Sequence, residues 1–212
     1  MKPETIFDLF NPAPEVFPVS PNLEAETAYS IEGLKYVPNF ISVEEEQTLI
    51  ERINSENWLG DLKRRVQHYG WKYDYKARKL DYGMYLGLIP DWIQLLAERL
   101  VSNEIMKEVA DQVIINEYKP GQGIANHVDC EPCFGDTVIS ISLAAPCIMN
   151  FINLKTKEKR EALLEPRSAV AIQGAARYSW SHGIPARLAD EINGNRVNRL
   201  LRISMTFRKV IF

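Results

Sequence analysis

The second half of the chain contains short runs typical of strands, and in the clearest of them, residues 202–208, apolar and polar residues alternate. Such alternation is typical of β-strands that turn one face towards an apolar layer. Turn signals such as Pro120-Gly121 and Asn193-Gly194 separate the runs, and no helical pattern lies between them. Many short strands without intervening helices favour a sandwich or a jelly roll. The runs predict strands at 112–118, 124–129, 137–145, 147–153, 168–173 and 200–208.

Two amphipathic helices are predicted before these strands. Ser42 and Glu45 form a capping box, and apolar residues at helical spacing continue the helix to about Ser55. Pro90 stands at the first turn of a second helix, which should end near Ser102. Each helix has one apolar face that must pack on something larger. We therefore expect an α+β protein, mainly β, in which the helices cover part of the β-structure.

The N-terminal segment has a different composition from the rest. Residues 1–29 contain five prolines and five acidic residues against a single lysine. Such a segment cannot form a long helix, so it predicts an extended arm. The full length of 212 residues suits one domain with a large core. We expect three parts of one domain: the arm at 1–29, an N-terminal extension at 30–111 and a β core at 112–212.

Composition and charge exclude several broad classes. The chain is 46% hydrophobic and 25% charged, as in ordinary globular proteins, and its net charge of -3 gives no global positive field for nucleic acid. No apolar run approaches the roughly 18–20 residues of a membrane-spanning helix, and the first residues lack a signal-peptide core. We expect a cytoplasmic monomer with no membrane partner, or a nuclear one in a eukaryote.

The three cysteines do not form the framework of a disulfide-rich protein. Cys130 and Cys133 form a CxxC motif, but no second cysteine pair or nearby histidine would complete a zinc site. A redox-active pair is one interpretation. Buried thiols in a reducing compartment are the interpretation that we favour.

The first candidate for chemistry is the tripeptide His127-Val128-Asp129, together with the distant His182. On a strand, side chains two positions apart share one face, so His127 and Asp129 would point the same way. A third ligand from another strand would complete a two-histidine, one-carboxylate triad, the set that holds Fe(II) and leaves positions open for co-substrate and oxygen. The alternative is a pair of polar residues satisfied at a strand end.

A second candidate lies near the C-terminus. Arg202, Ser204, Thr206 and Arg208 alternate with apolar residues and therefore share one face of a strand. If that face lines a pocket, its two guanidinium groups need carboxylate or phosphate partners. The chain offers no obvious acidic pair for them, so a dianionic ligand such as a 2-oxo dicarboxylate fits. The alternative is a solvated face on an edge strand.

Residues 63–79 form a basic and aromatic stretch, with seven cationic residues against one acidic residue. Tyr69, Trp71, Tyr73 and Tyr75 alternate, so on a strand the four rings would share a face. Aromatic rings among cations suit a polyanion with bases that stack. A hairpin that lays its rings on the core and exposes its lysines fits equally well, and the two interpretations are compatible.

Taken together, these motifs resemble the AlkB family of Fe(II)- and 2-oxoglutarate-dependent dioxygenases. Residues Arg64-Arg65-Val-Gln-His68-Tyr-Gly-Trp are similar to the nucleotide-recognition lid of members close to the wobble-uridine tRNA hydroxylases. The resemblance implies a double-stranded β-helix, that is a jelly roll, with N-terminal helices and a β-hairpin lid. The matching blocks of the core are Asn116-Glu-Tyr118-x-Pro-Gly-x-Gly-Ile, the HxD motif, Ser140-Ile-Ser-Leu, Arg177-Tyr-x-Trp180-x-His182-Gly-Ile and Arg202-Ile-Ser-x-Thr-Phe-Arg208.

The resemblance also implies cofactors and the residues that bind them. The cofactors would be Fe(II), 2-oxoglutarate as co-substrate, and O2. The iron ligands would be His127, Asp129 and His182, and the same three residues would be the catalytic residues. Two sets of residues would bind 2-oxoglutarate: Arg202, Tyr118 and Ser204 at the distal carboxylate, and Arg208 and Asn116 at the carboxylate beside the keto group.

The substrate implied is alkylated or modified DNA or RNA. Glu131 stands where repair members carry an acid that contacts the base, which predicts demethylation of bases such as 1-methyladenine or 3-methylcytosine, releasing formaldehyde, succinate and CO2. The lid points instead to a tRNA- or RNA-modifying hydroxylase, and a catalytically silent nucleic-acid-binding module is a further alternative. Arg64 and Arg65 would meet phosphates, and Tyr69, Trp71 or Tyr73 would stack on the base.

Overall fold

The computed structural model describes residues 28–60, 63–74 and 77–212. The predicted arm therefore lies outside the described residues, except for its last two positions. Among the described residues, no helix is long and apolar enough to cross a membrane.

Two α-helices and two strands precede the β core among the described residues, besides two short 3-10 helices. Helix α1 begins with the predicted capping box, in which Ser42 Oγ accepts a hydrogen bond from Glu45 N at 3.1 Å and Glu45 Oε2 accepts one from Ser42 N at 2.8 Å. Both predicted helices are confirmed, and they end at the predicted residues. The four elements are β1 Leu34–Val37, α1 Val43–Ser55, β2 Val66–Tyr69 and α2 Asp91–Ser102.

The β core contains ten strands and one short helix among the described residues. The strands are β3 Gln112–Tyr118, β4 Ile124–His127, β5 Phe134–Leu143, β6 Cys147–Asn153, β7 Lys159–Leu164, β8 Ala169–Ile172, β9 Trp180–Ile184, β10 Ala189–Ile192, β11 Asn195–Asn198 and β12 Arg202–Val210, and helix α3 is Gly174–Tyr178.

These strands form two main sheets. The larger has the order β1-β8-β5-β12-β3-β2 and the smaller the order β4-β9-β6-β7, while β10 and β11 make a separate hairpin. All paired strands run antiparallel. The two sheets confirm the predicted jelly roll, or double-stranded β-helix.

The predictions located six strands of the β core and missed the other four among the described residues. β3 and β6 have the predicted bounds, whereas the predicted 124–129 ends at 127, and the predicted 137–145, 168–173 and 200–208 are observed at 134–143, 169–172 and 202–210. Strands β7, β9, β10 and β11 and helix α3 were not predicted. They are short, and several are polar or contain glycine, so they carry little periodic signal.

Side chains along the central strands point alternately into the apolar core and into the cavity. Val113 and Ile115 of β3, with Met205 and Phe207 of β12, join the apolar cluster that α1 and α2 cover. Phe207 is 0% exposed, and burying a side chain of this size contributes about 1.5–3 kcal/mol. The residues between these positions face the space between the two sheets, which is where the polar site lies.

Candidate active site

The predicted triad comes together between the sheets. His127 of β4 and His182 of β9 are direct partners in the antiparallel ladder, and their ring centroids are 4.6 Å apart. Asp129 completes the group: one donor atom from each of the three residues lies within 4.8 Å of the others. Two imidazoles and one carboxylate at this spacing fit the facial set that binds Fe(II).

Asp129 reaches this position from a turn, contrary to the prediction that it shares a strand with His127. β4 ends at His127, and the carbonyl oxygen of Cys130 then accepts backbone hydrogen bonds from Cys133 at 3.2 Å and Phe134 at 3.1 Å. The β4–β9 ladder also shifts register between Ile124 and His127. The convergence of the triad was predicted, but its local geometry was not.

The ring of His127 is held in a state suited to coordination. Its Nδ1 lies 2.9 Å from the carbonyl oxygen of Ala125, and because a carbonyl only accepts, Nδ1 carries the proton and Nε2 keeps a free lone pair. Burial, together with the nearby His182, lowers the pKa of His127 from 6.5 to about 4. The imidazole is therefore neutral at neutral pH.

Asp129 is ionised despite its burial. Arg208 lies against one carboxylate oxygen, with Nε at 2.8 Å and Nη2 at 2.7 Å from Oδ1, while Oδ2 lies 3.3 Å from His182 Nε2. Burial by itself favours the neutral acid, but the charge of Arg208, with the two histidines, outweighs it and holds the pKa of Asp129 well below its usual range. The expectation that Arg208 has no acidic partner was therefore wrong.

Arg202 differs from Arg208, because it is buried without a counter-ion. It is 2% exposed, and Nη2 donates to Ser142 Oγ at 2.8 Å. None of the described residues accepts a hydrogen bond from its Nε or Nη1. A buried guanidinium with free donors is costly unless an anion binds it. Its strand register places Arg202 opposite Tyr118 and Ser204 opposite Asn116, so the predicted 2-oxoglutarate residues are neighbours.

These residues line a cavity of about 330 Å³ between the two sheets. All three residues of the triad and all five residues predicted to bind 2-oxoglutarate lie in its wall. An unpaired buried cation beside a carboxylate-bearing metal site suits a small dicarboxylate, so the donor set fits both Fe(II) and 2-oxoglutarate. The wall includes His127, Asp129, His182, Asn116, Tyr118, Arg202, Ser204 and Arg208, and also Arg64, Tyr73 and Arg78.

The predicted substrate residues have more varied positions. Arg64 lines the cavity and donates from Nε to Asn116 Oδ1 at 2.8 Å. Arg65 lies outside the cavity wall, where it forms an ion pair with Glu117 and lies over the ring of Trp58 at 4.7 Å. Glu131 is exposed in the turn after Asp129 and is not part of the cavity wall.

The described aromatic rings of the lid, Tyr69, Trp71 and Tyr73, do not share one face, and Tyr75 lies outside the described residues. Tyr69 ends β2 and packs edge-on against Trp92 at 5.8 Å, whereas Trp71 lies 4.8 Å from Tyr85. Tyr73 packs on Phe134 at 5.5 Å and is the predicted lid ring that lines the cavity. The strand pattern fails because β2 stops at Tyr69. Beyond it, the lid has two isolated antiparallel bridges, Trp71 with Tyr85 and Asp74 with Lys79.

Two features of the site were missed or misjudged from the sequence. Arg78 lines the cavity and donates from Nη2 to the carbonyl oxygen of Val128 at 3.0 Å; its membership of the basic stretch was the only signal.

Cys130 and Cys133 are buried as predicted but form a disulfide, contrary to the prediction of thiols. The Cys130 sulfur lies 3.2 Å from the carbonyl oxygen of Arg78, so the disulfide of the metal-site turn contacts the lid.

A jelly roll that holds this triad in one cavity with Arg202, an arginine without a carboxylate partner among the described residues, is typical of the non-haem Fe(II) oxygenases that use a 2-oxo acid. Residues 33–208 match the family model for the 2OG-Fe(II) oxygenase superfamily. The chain belongs to this superfamily and is AlkB-like within it. It is therefore a dioxygenase that uses Fe(II), 2-oxoglutarate and O2.

Several known proteins are similar to this chain. It is 34% identical over 194 residues to an uncharacterized protein of Acanthamoeba polyphaga mimivirus, covering 91% of this chain and 92% of that protein. It is 34% identical over 208 residues to the Alkylated DNA repair protein ALKBH8 homolog of Arabidopsis thaliana, covering 87% of this chain and 60% of the plant protein. It is 33% identical over 202 residues to the tRNA (carboxymethyluridine(34)-5-O)-methyltransferase ALKBH8 of Mus musculus, covering 84% of this chain and 30% of the mouse protein.

The plant and mouse relatives thus extend well beyond the region that this chain spans. Among solved structures, OsALKBH1 superposes with a TM-score of 0.63 at 17% identity, covering 84% of this chain and 96% of that chain. That likeness shows a shared fold.

Proposed function

We propose that this enzyme hydroxylates a modified nucleobase in RNA, with tRNA as the substrate class. The observation that carries the proposal is the surplus of positive charge in the cavity. Four arginines line it: Arg64, Arg78, Arg202 and Arg208. Asp129 is the one carboxylate among the described residues of its wall, and Arg208 already pairs with it.

The co-substrate does not cancel this surplus. Two carboxylates of 2-oxoglutarate would neutralise two cations, with Arg202 as the best-placed partner, but a divalent metal ion brings positive charge of its own. Arg64 and Arg78 bond to neutral acceptors, the amide of Asn116 and the carbonyl of Val128. A low-dielectric cavity magnifies such an imbalance. An anionic or neutral base therefore suits the cavity better than a cationic one.

This charge argument distinguishes the two substrate classes. 1-Methyladenine and 3-methylcytosine carry a positive charge, so four arginines oppose their entry. Glu131, the acid expected to contact such a base, is exposed and outside the cavity wall. The name of the mouse relative refers to a carboxymethyluridine of tRNA, a base whose substituent is an anion. That relative's methyltransferase activity is not part of the proposal, because this chain spans 30% of its length.

Each residue of the site has a definite task in this proposal. His127, Asp129 and His182 would hold the iron, which when bound supplies the oxygen chemistry that converts 2-oxoglutarate to succinate and CO2 and oxidises the target carbon. Arg202, with Ser204 and Tyr118, would bind the distal carboxylate. Arg208 keeps Asp129 ionised.

Demethylation of N-alkylated bases in DNA or RNA is the second candidate. Tyr73 in the cavity wall offers a stacking face to an extruded base in either reaction, so it does not separate the two candidates. The name of the plant relative refers to alkylated DNA repair. The same metal and co-substrate residues would serve both reactions, so substrate charge is the feature that separates them.

The test uses matched substrates with the iron-loaded enzyme and 2-oxoglutarate. Anticodon stem-loops carry either 5-carboxymethyluridine or its neutral methyl ester, and oligonucleotides carry 1-methyladenine or 3-methylcytosine. We expect both uridines to gain one oxygen atom, with an equal amount of succinate formed. The uridine that carries the free carboxylate should have a lower KM than its methyl ester. The cationic bases should release no formaldehyde. Formaldehyde release from the cationic bases, with unchanged uridines, would establish demethylation and overturn the proposal.

A further inference from the structure

Arg177 is the largest side chain that the described part of the fold buries completely, at 1% exposure. It lies in α3, five residues before His182 along the chain. Its guanidinium lies 5.2 Å from the ring centroid of Tyr178. Neither the predicted metal set nor the predicted 2-oxoglutarate set includes it, and it does not line the cavity.

The contacts of Arg177 are with backbone rather than with an acid. Nη1 donates to the carbonyl oxygen of Asp129 at 3.0 Å, and Nη2 donates to that of Cys130 at 3.4 Å. Its Nε has no acceptor among the described residues. A buried cation without a carboxylate partner is a poor source of stability, and apolar side chains of similar size usually serve a core better. Its presence therefore calls for a more specific role.

The two carbonyl groups show what that role is. Asp129 lies beyond the end of β4, so no strand ladder fixes its backbone. The Cys130 carbonyl oxygen also accepts hydrogen bonds from Cys133 N and Phe134 N. The backbone bonds of the turn after Asp129 therefore share an acceptor with Arg177. Arg208 orients the carboxylate of Asp129, whereas Arg177 holds its backbone. The aspartate is thus fixed at both ends by arginines from different elements.

We propose that Arg177 is a positioning residue of the metal centre. It ties the turn that carries Asp129 to the segment that leads directly into His182, so that two metal ligands from distant parts of the sequence keep their mutual distance. Groups that orient metal ligands in this way commonly control metal affinity. The proposal concerns the site itself and holds whichever nucleobase the enzyme oxidises.

The test compares Arg177→Gln with Arg199→Gln in the full chain after metal removal. Arg199 is a matched control, because it is also buried and also bonds a backbone carbonyl, that of Pro185, but its partner is Asp190 rather than the metal-site turn. Calorimetric titration with Mn(II) gives the affinity, the absorption spectrum of the Co(II)-loaded protein reports the ligand geometry, and thermal unfolding of the metal-free protein gives the stability.

We expect Arg177→Gln to weaken Mn(II) binding roughly 10–100-fold and to change the Co(II) spectrum. Arg199→Gln should lower the unfolding temperature while Mn(II) affinity and the Co(II) spectrum stay as in the parent. Parent-like Mn(II) affinity in Arg177→Gln overturns the proposal, and so does an equal loss of affinity in both variants, since that would reflect general stability.

If Arg177→Gln does not fold, a conservative variant tests the positioning role. Arg177→Lys keeps the charge but cannot donate to both carbonyls through a rigid fork. Intermediate Mn(II) affinity with an altered Co(II) spectrum supports the positioning role. If Arg177→Lys has the Co(II) spectrum and the Mn(II) affinity of the parent, a positive charge alone suffices, and the positioning role is overturned.

Discussion

His127 and His182 face each other directly across the β4–β9 ladder, with their ring centroids 4.6 Å apart. Strand register thus sets the spacing of the two histidines. A slip of one residue would turn one ring away from the other, because neighbouring side chains on a strand point to opposite faces. The register shift between Ile124 and His127 is part of this arrangement, and it depends on close approach of the two backbones.

Gly183 permits that approach, so we expect Gly183→Ala to disturb the metal site. A Cβ at this position would lie 2.8 Å from both Asn126 N and Ile124 O, so the strands would have to separate, at about 1–3 kcal/mol. The unfolding temperature and the Mn(II) affinity should both fall. Gly135→Ala is the control, since its Cβ would lie at an ordinary 3.7 Å from Lys209 Cβ. Unchanged Mn(II) affinity in Gly183→Ala would show that the metal site tolerates the separation of β4 and β9.

Replacing Arg202 should separate binding from stability. Arg202→Met removes the expected partner of the distal carboxylate, and the KM for 2-oxoglutarate should rise by roughly 30-fold or more, corresponding to about 2 kcal/mol. The ligand-free protein should be as stable as the parent or more so, because two donors of Arg202 have no acceptor among the described residues. Kinetics at varied 2-oxoglutarate, with thermal unfolding, check both parts. An unchanged KM would exclude Arg202 from the co-substrate site.

Two neighbouring arginines test the charge argument for substrate choice. Arg64 lines the cavity, whereas Arg65 pairs with Glu117 outside it. Arg64→Ala should therefore lower kcat/KM for a carboxylate-bearing uridine by about tenfold, the scale of one charge-assisted hydrogen bond. Arg65→Ala should change kcat/KM less, because Arg65 lies outside the cavity wall. Equal effects of the two substitutions on kcat/KM would point to a general role of both in RNA binding.

Asp190 should contribute to stability in acid. Burial opposes its ionisation, but hydrogen bonds from Arg199 and Arg187 hold its pKa below the ordinary 3.8. Because the folded state then binds fewer protons than the unfolded state, this stabilisation is present above the ordinary pKa and is lost as pH falls through the lowered one. Asp190→Asn should flatten the acid decline of the unfolding temperature below about pH 4. An acid decline as steep as the parent's would argue against this role.

The disulfide predicts a simple chemical result. Cys130 and Cys133 are joined, and Cys147 is the free cysteine. Under denaturing conditions without reductant, one thiol per chain should react with a thiol reagent, and all three should react after reduction. Three reactive thiols without reduction would contradict the pairing.

The alternation of β12 predicted that Arg202 and Ser204 share one face, and both lie in the cavity wall. Their role towards 2-oxoglutarate, like that of Asn116, came from the resemblance to the AlkB family and stays a prediction. Asp129 and the lid rings lie where regular structure stops, and there no periodic rule fixes the direction of a side chain. Arg177 gave no local signal for its role, since its acceptors are backbone carbonyls that any residue would provide.

The cavity wall also has a consequence for how such an enzyme diversifies. The triad and Arg202 come from the strands and turn between Ile124 and Val210, whereas Arg64, Tyr73 and Arg78 come from one short segment around the edge strand β2. If the proposed function holds, the residues for oxidation and those for target choice therefore lie in separate stretches of the chain. Substitutions in the short segment would then change the preferred base while every metal ligand stays in place.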